Sequence, residues 1–248
     1  MSEPRARAAR RPGRPHSQHF LRSRSLAAEL VRDSGVGCDD LVLDLGAGTG
    51  RLTGELARVA RRVVAVELDR RLASRLRDRW ENVDVVCADA AEVELPTDPF
   101  RVVANLPFDG TTAILRHLLD DPRVPLVRAD VIVEWGVAVK RALPWPSTVN
   151  DVLWGAWYST SLARRLPRSA FDPPPSVDAG VLVIERRPHP LVPERHWQSY
   201  RGFVANGFRR PHSVALRAAP RNLDAYQWAE LFSRSRSSGA AASRRSSP

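Results

Sequence analysis

Short apolar runs alternate with segments of helical periodicity over much of the chain. The runs are rich in Val and Leu, and the stretches between them are long enough to form helices. Such near-continuous apolar strands are typical of a parallel sheet that is covered by helices on both faces. The predicted parallel strands cover residues 41–46, 62–69, 83–89, 101–106 and 128–135.

Beyond residue 140 two further strands follow without a clear helix between them. We predict these strands at 156–166 and 179–187, paired as an antiparallel hairpin that closes the sheet. The predicted fold class is therefore α/β, with a Rossmann-like, seven-stranded, mostly parallel sheet. Helical periodicity at 196–207 and 223–232 predicts a small helical C-terminal domain. The predicted divisions are a basic disordered leader (1–15), the α/β catalytic domain (16–187), the small helical domain (188–232) and a basic Ser/Arg/Ala disordered tail (233–248).

The formal net charge of +10 is concentrated at the two ends of the chain. Residues 1–24 hold seven arginines and one acid, and residues 233–248 hold four arginines and no acid. Basic tails often bind polyanions through phosphate contacts, although a solvated tail without a partner has the same composition. A further stretch, 201–223, contains arginines and no acid. The candidate RNA-contacting residues are Arg10, Arg11, Arg14, Arg209 and Arg210.

Several classes of function find no support in the composition. The two cysteines and six histidines show no ligand spacing, so we predict no metal site. No apolar run is long enough for a membrane span, and the arginine-rich start lacks the apolar segment of a secretory signal. We therefore expect a monomer in the cytoplasm.

A glycine loop, Asp44-Leu45-Gly46-Ala47-Gly48-Thr49-Gly50, follows the first predicted strand and opens a helix. Its D-x-G-x-G-x-G spacing differs from the dinucleotide pattern G-x-G-x-x-G, and it lacks the Gly-Lys-Ser/Thr of a P-loop. Gly46 and Gly48 would allow the backbone to approach a ligand without a side-chain clash. A tight strand–helix turn without a ligand is the alternative.

Two acids, Glu67 and Asp89, end the next two predicted strands. A carboxylate at the first position can accept hydrogen bonds from both ribose hydroxyls of a nucleoside. A carboxylate at the second position can accept a hydrogen bond from the amine of an adenine. Ligands of open α/β sheets bind at the carboxyl edge of the strands. One such acid is commonly a solvated loop residue, but three strand ends in succession predict a nucleoside-type ligand.

The fourth predicted strand ends in Asn105-Leu106-Pro107-Phe108, which suits an exocyclic amine as substrate. The Asn105 oxygen and the Leu106 carbonyl can accept both N–H bonds of a poorly nucleophilic amine and orient its lone pair. Pro107 fixes the backbone, and Phe108 offers a face on which an extruded base can stack. The motif resembles the Asn/Asp-x-Pro-Tyr/Phe signature of amine-directed adenine and cytosine methyltransferases. A plain proline turn is the alternative.

Two further motifs extend this resemblance: His-Ser-Gln-His-Phe-Leu at 16–21 and Phe-Asp-Pro-Pro-Pro-Ser-Val-Asp at 171–178. With the glycine loop, they resemble motifs of the rRNA adenine N6-dimethyltransferases, which are class I S-adenosylmethionine-dependent methyltransferases. The resemblance implies that the N-terminal motif closes over S-adenosylmethionine. The cofactor contacts that it implies are Gln18, His19, Leu21, Gly46, Gly48, Glu67, Asp89, Ala90 and Asn105. His19 stands where the family has asparagine, and Phe108 where many members have tyrosine.

Two branches of this family modify different ribosomal RNAs. One dimethylates two neighbouring adenines of small-subunit (16S) rRNA during ribosome biogenesis. The Erm branch methylates one adenine of 23S rRNA and confers resistance to macrolide, lincosamide and streptogramin B antibiotics. Residues 132–141 (IVEWGVAVKR) and the two basic ends resemble the Erm branch. The resemblance therefore implies N6 mono- or dimethylation of a single adenine in 23S rRNA.

Three other interpretations have less support. A duplex-DNA adenine methyltransferase normally carries a recognition domain, and too few residues follow Arg187 to form one. A non-catalytic rRNA-binding factor would be expected to lack the glycine loop or Asn105, and both are present. A dinucleotide-dependent oxidoreductase does not fit the glycine spacing.

Overall fold

A computed structural model describes residues 18–146, 148–210 and 219–245. Within these residues, strands and helices alternate along most of the chain. The strands are β1 (Phe20–Leu21), β2 (Leu41–Leu45), β3 (Arg62–Val66), β4 (Val83–Val86), β5 (Phe100–Asn105), β6 (Leu126–Glu134), β7 (Tyr158–Leu166), β8 (Phe171–Asp172) and β9 (Ala179–Arg186). The helices are α1 (Arg24–Asp33), α2 (Arg51–Leu56), α3 (Arg70–Leu76), α4 (Thr111–Leu119), α5 (Trp135–Ala142), α6 (Val149–Gly155), α7 (Trp197–Arg209) and α8 (Ala225–Arg245).

The main sheet of the described residues has seven strands in the order β4-β3-β2-β5-β6-β9-β7. Strands β2 to β6 pair in parallel, whereas β9 is antiparallel to both β6 and β7. The predicted α/β class, with a mostly parallel sheet closed by an antiparallel hairpin, is confirmed. The strand order reverses between β2 and β5, and open α/β sheets bind ligands at the carboxyl side of such a switch point.

Alternate residues of the central strands face opposite sides of the sheet and build two apolar layers. Val42, Val103 and Ile132 belong to the layer that contains residues of α1 and α2. Their sequence neighbours Leu43 and Ala104 belong to the layer that contains α4 and the C-terminal helices. Because both faces are covered, the strands are apolar throughout, which explains the continuous runs in the sequence.

A second, two-stranded sheet joins the N-terminal segment to the segment before β9. β1 and β8 pair antiparallel, with Phe20 opposite Asp172 and Leu21 opposite Phe171. The peptide bond between Asp172 and Pro173 is cis. Two motifs that are distant in the sequence therefore lie side by side.

Helices α7 and α8 pack against α6 and extend the apolar layer on the α4 side of the sheet. Their aromatic side chains interlock edge to face: Tyr200 contacts Trp157 and Phe232, and Phe203 contacts Trp228. The predicted small helical C-terminal part is thus present, and it shares one continuous core with the sheet.

The predicted disordered tail at 233–248 is wrong for most of its length, because α8 continues to Arg245. Ala and Arg are among the strongest helix formers. They make up seven of residues 233–245. The helix that they extend is already anchored by the buried Trp228 and Phe232, so no new nucleation is needed. The predicted leader, 1–15, and residues 246–248 lie outside the described residues.

Candidate active site

The glycine loop turns the chain sharply between β2 and α2. Gly46, Gly48 and Gly50 have positive φ angles of 81°, 56° and 79°. A Cβ added at Gly48 would lie only 2.7 Å from Cε1 of Phe20. Glycine is therefore required at position 48 both by the backbone conformation and by the close approach of an aromatic ring.

Glu67 follows β3, and its carboxylate braces the glycine loop. The residue is 5% exposed. Its Oε2 accepts a hydrogen bond from the Gly48 amide at 2.7 Å, and its Oε1 accepts one from the Asp69 amide at 2.8 Å. An ionised carboxylate has about four lone-pair sites, so each oxygen retains a site for a ribose hydroxyl. This geometry fits the nucleoside-binding role predicted for Glu67.

Asp44, the first residue of the loop motif, is a buried acid outside the predicted cofactor contacts. Its Oδ2 accepts a hydrogen bond from the Thr53 hydroxyl at 2.6 Å. Burial raises the pKa of Asp44 to about 7; the Thr53 hydrogen bond opposes this rise, and the negative charge of Glu67 reinforces it. An acid inside an otherwise apolar strand, with a hydroxyl residue in the first turns of the following helix, is the sequence signal for this pair.

Asp89 follows β4 and lies half-buried near the end of β3. Its Oδ1 accepts a hydrogen bond from the Ala91 amide at 2.9 Å. The Ala88 amide donates to the Glu67 carbonyl at 3.2 Å, which holds the two acidic strand ends together. The predicted residue Ala90 is buried in the apolar layer beside α4. The structure thus brings the predicted ribose and adenine contacts to neighbouring positions on one sheet edge.

Asn105 is the last residue of β5, and the two ends of its side-chain amide have different surroundings. Nδ2 donates a hydrogen bond to the His19 carbonyl at 2.7 Å. Oδ1 is buried but accepts no hydrogen bond from the residues that the structure describes. A buried acceptor without a donor costs about 1–3 kcal/mol, so such an atom at the ligand-binding edge of the sheet indicates a donor on a ligand.

The rest of the Asn-Leu-Pro-Phe motif shapes the surroundings of this amide. Leu106 is buried in the α4 layer. Pro107 lies against the glycine loop, with its Cδ 3.5 Å from the position of a Cβ built on Gly46. Phe108 is half-buried, and its ring centroid lies 5.6 Å from that of His19. The glycine loop and the predicted amine-binding motif therefore adjoin each other.

His19 connects three of the sequence motifs. Its carbonyl accepts the hydrogen bond from Asn105, and its Nδ1 lies 2.8 Å from the carbonyl oxygen of Pro173. Because a carbonyl can only accept, Nδ1 carries the hydrogen of this bond. The N-terminal segment, the end of β5 and the segment after β8 are thus joined at one residue.

The neighbours of His19 have different environments. Gln18 is half-buried. The Leu21 side chain is 4% exposed and belongs to the α1 and α2 layer, so a ligand contact by this residue would come from its backbone. Phe20, which packs on Gly48, was not among the predicted site residues. Its position within the Gln-His-Phe-Leu motif is the signal that could have identified it.

The structure describes two of the five predicted RNA-contacting arginines. Arg209 ends α7 and Arg210 follows it, and both are exposed. Arg10, Arg11 and Arg14 lie outside the described residues. Over the described ranges, no group of three or more His, Cys, Asp or Glu residues could hold a metal ion. In the same ranges no helix combines the length and the apolar character that a membrane crossing needs.

Comparison with known proteins relates this arrangement to a family. Residues 13–218 match the family described as ribosomal RNA adenine dimethylase. The rRNA adenine N-6-methyltransferase of Corynebacterium diphtheriae is 35% identical over 195 residues, covering 78% of this chain and 76% of the relative. The mycinamicin-resistance protein MyrB of Micromonospora griseorubida is 33% identical over 239 residues, covering 87% of this chain and 76% of the relative.

Similarity extends to relatives named for either ribosomal subunit. A probable ribosomal RNA small subunit methyltransferase A of Methanosarcina mazei is 33% identical over 187 residues, covering 72% of this chain and 67% of the relative. Among solved structures, the 23S rRNA methyltransferase ErmE matches with a TM-score of 0.72 and 28% identity, covering 87% of this chain and 98% of that chain. Both branches thus align with most of the chain.

Proposed function

The chain belongs to the ribosomal RNA adenine dimethylase family, and we propose that it methylates N6 of a single adenine in 23S rRNA. Family and fold make it an rRNA adenine N6-methyltransferase with the fold of S-adenosylmethionine-dependent enzymes. The proposal includes mono- or dimethylation of that adenine and resistance to macrolide, lincosamide and streptogramin B antibiotics. We further propose that the enzyme acts as a monomer in the cytoplasm.

The observation that supports an amine as the methyl acceptor is the buried Oδ1 of Asn105. This oxygen accepts no hydrogen bond from the described residues, and the bond from Nδ2 to His19 fixes the amide in that orientation. An exocyclic amine would supply the missing donor. Support for the 23S branch is separate: it comes from the likeness to ErmE and MyrB and from the Erm-like sequence at 132–141.

The residues at the sheet edge also fit S-adenosylmethionine. The positive φ angles of the loop glycines turn the backbone sharply at the ligand-binding edge of the sheet. Glu67 retains acceptor sites for ribose hydroxyls, and Asp89 offers a carboxylate to an adenine amine. When bound, this cofactor supplies a methyl group that is already activated on a sulfonium. The contribution of the protein is therefore mainly positioning and electrostatics.

In this mechanism Asn105 and Leu106 hold the acceptor nitrogen. The Asn105 oxygen accepts one N–H of the adenine amine and the Leu106 carbonyl accepts the other, which turns the nitrogen lone pair toward the methyl group. Phe108 stacks on the extruded base. A new N–C bond would form as the bond between the methyl group and the sulfonium sulfur breaks. The nitrogen, which becomes acidic on alkylation, would release one proton to solvent. No strong general base is needed for this step.

Primer extension across 23S rRNA tests the proposed target. The enzyme is expressed in a susceptible bacterial host whose own 23S rRNA is unmodified. Because dimethylated adenine cannot form a Watson–Crick pair, reverse transcriptase should stop in the peptidyl-transferase loop, and the host should become macrolide-resistant. Absence of both the stop and labelled methyl groups in 23S rRNA would overturn the proposal.

Dimethylation of 16S rRNA during ribosome biogenesis is the second candidate function, which the similarity to the Methanosarcina mazei relative supports. Its test is expression in a host that lacks its own small-subunit enzyme. Paired stops near the 3′ end of 16S rRNA, without a stop in 23S rRNA, would assign the chain to this function instead.

A further inference from the structure

A cavity of about 710 Å³ adjoins the candidate active site, and Thr49 and Gly50 of the glycine loop line part of it. We call it the basic cleft. Its lining shares Leu21 with the predicted cofactor contacts but includes neither Glu67, Asp89 nor Asn105, so it adjoins the proposed nucleoside and amine contacts without containing them. The lining residues are Phe20, Leu21, Arg22, Arg24, Thr49, Gly50, Arg51, Gly54, Glu55, Arg58, Arg79, Trp80 and Asp172.

The basic cleft has a strong excess of positive charge. Its lining contains five arginines and two acids. The carboxylate of Glu55 is buried and neutralised by two of these arginines, Arg24 at 2.8 Å and Arg58 at 3.1 Å. Arg51 and Arg79 are exposed and form no ion pair with any residue in the described part of the chain. The Arg79 guanidinium lies over the Trp80 ring, 4.5 Å from its centroid. Neither guanidinium has a carboxylate partner among the described residues, which favours phosphate oxygens as partners.

Phe20 connects the basic cleft to the candidate active site. Its ring packs on Gly48 and lines the cleft, while the preceding residue, His19, holds the Asn105 amide. The chain from His19 to Arg22 spans at most about 10 Å. A nucleic-acid strand whose adenine lies at Asn105 could therefore place a neighbouring phosphate in the cleft.

We propose that the basic cleft binds the phosphodiester backbone of the substrate rRNA next to the target adenine. This inference rests on the proposed function for its ligand, but it requires only that the substrate is an RNA. Phosphate contacts set the register of a protein on its nucleic acid without reading sequence.

The test compares Arg51→Gln, Arg79→Gln and the double variant with Arg195→Gln. Arg195 is a matched control because it is also an exposed arginine. Its neighbour Glu194 pairs with Arg186, the last residue of β9, which lies on the other side of the sheet from β2, β3 and β4. Binding is measured against salt for a 23S fragment with the peptidyl-transferase loop and for a 16S 3′ fragment. Thermal melting and S-adenosylmethionine affinity are measured for each variant.

Each single substitution should lower the slope of log K against log[salt] by about 1, and the double variant by about 2. Melting and cofactor affinity should match wild type, and Arg195→Gln should leave the slope unchanged. Equal slopes for the cleft variants and the control would overturn the proposal. Competition by a mononucleotide or inorganic phosphate at the cleft, with an unchanged RNA slope, would assign it to a small anion instead.

The two RNA fragments separate this proposal from the proposed function. If wild-type enzyme methylates neither fragment, the proposed function fails, but the binding slopes still decide whether the cleft contacts RNA phosphates. If wild-type enzyme methylates the 23S fragment and the slopes do not change, the proposed function stands and the cleft proposal fails.

Discussion

The Asn105 amide divides its two hydrogen-bonding ends between the protein and the proposed substrate. Nδ2 is fixed by a backbone carbonyl at 2.7 Å, so rotation of the amide would bring two oxygens together. Oδ1 therefore faces the site as an acceptor, and it is buried. At low local dielectric an acceptor held in this way interacts strongly with an N–H donor.

Replacing Asn105 by alanine should lower methyl transfer by about 10²–10³-fold or more, comparable with the loss of one preorganised transition-state contact. S-adenosylmethionine should still bind, with reduced affinity, because Glu67 and Asp89 remain. Labelled-methyl transfer and calorimetric cofactor titration measure the two effects. Turnover close to wild type in Asn105→Ala would refute the role assigned to this amide.

Gly48→Ala should impair cofactor binding through the loop conformation. An alanine at a φ of +56° costs about 1–2 kcal/mol, and its Cβ would displace the Phe20 ring. Gly37→Ala is the matched control, because a Cβ there meets nothing within 4 Å. We expect weaker S-adenosylmethionine binding and a lower Tm for the first variant only. Equal cofactor affinities in the two variants would contradict the tight packing of this loop.

The buried Asp44 should make stability depend on pH. Since its pKa is raised to about 7, the folded protein holds this proton more tightly than the unfolded chain does. The contribution of Asp44 to the free energy of unfolding is therefore greatest below about pH 4, declines as the pH rises, and levels off above pH 7. Asp44→Asn keeps an acceptor for the Thr53 hydroxyl but has no titrating carboxyl. Its free energy of unfolding should therefore lack the decrease with pH that Asp44 causes. Denaturant titrations from pH 4 to 8 measure the free energy of unfolding of both proteins. The same dependence on pH in wild type and Asp44→Asn would contradict this prediction.

At the scale of elements, the carboxyl ends of β2, β3, β4 and β5 assemble the candidate site. Glu67, Asp89 and Asn105 could be predicted from sequence because each lies at the end of an apolar run, within three residues of the last residue of its strand. The link from His19 to Pro173 could not, because it depends on the pairing of β1 with β8 across the fold. A polar residue at the end of an apolar strand can be recognised from its immediate neighbours in the sequence. The position of the N-terminal segment over the site depends on contacts between residues far apart in the sequence.

Helices α5 and α6 were not predicted, and the physical reasons are visible in the structure. α5 begins at Trp135 directly after β6, so one apolar run contains both a strand and a helix. Its β-branched residues Val137 and Val139 also favour a strand by propensity. α6 is seven residues long, and its capping box between Thr148 and Asp151 fixes a start that apolar periodicity does not show.

The shared core of the C-terminal helices predicts their response to a cavity. Trp228 is fully buried and contacts Phe203 and Phe208, so Trp228→Ala should destabilise the protein by about 3–5 kcal/mol. Because this core continues into the sheet, far-UV circular dichroism and fluorescence should report one unfolding transition at a lower Tm. If the C-terminal helices of this variant unfold in a separate transition while the sheet unfolds at the wild-type temperature, the two parts do not share one cooperative core.

At the scale of the whole molecule, the basic cleft lies next to the candidate active site. The sequence predicted the basic ends but not the basic cleft. Its arginines come from the segment that leads into α1, from α2 and the turn after it, and from the turn after α3. Only the packing of these elements brings them together. The proposed cofactor residues, the Asn105 amide and the basic cleft are then arranged around Phe20, which suits an enzyme that holds RNA while it modifies a base.

Methyl transfer from labelled S-adenosylmethionine to purified 23S and 16S rRNA, followed by nucleoside analysis, tests the central claim most directly. The account predicts N6-methylated or N6,N6-dimethylated adenosine in 23S rRNA at a single position and no label in 16S rRNA. With Asn105→Ala, the initial rate of labelling of 23S rRNA should fall by about 10²-fold or more. Label confined to 16S rRNA, label on a base other than adenine, or undiminished transfer by Asn105→Ala would contradict it.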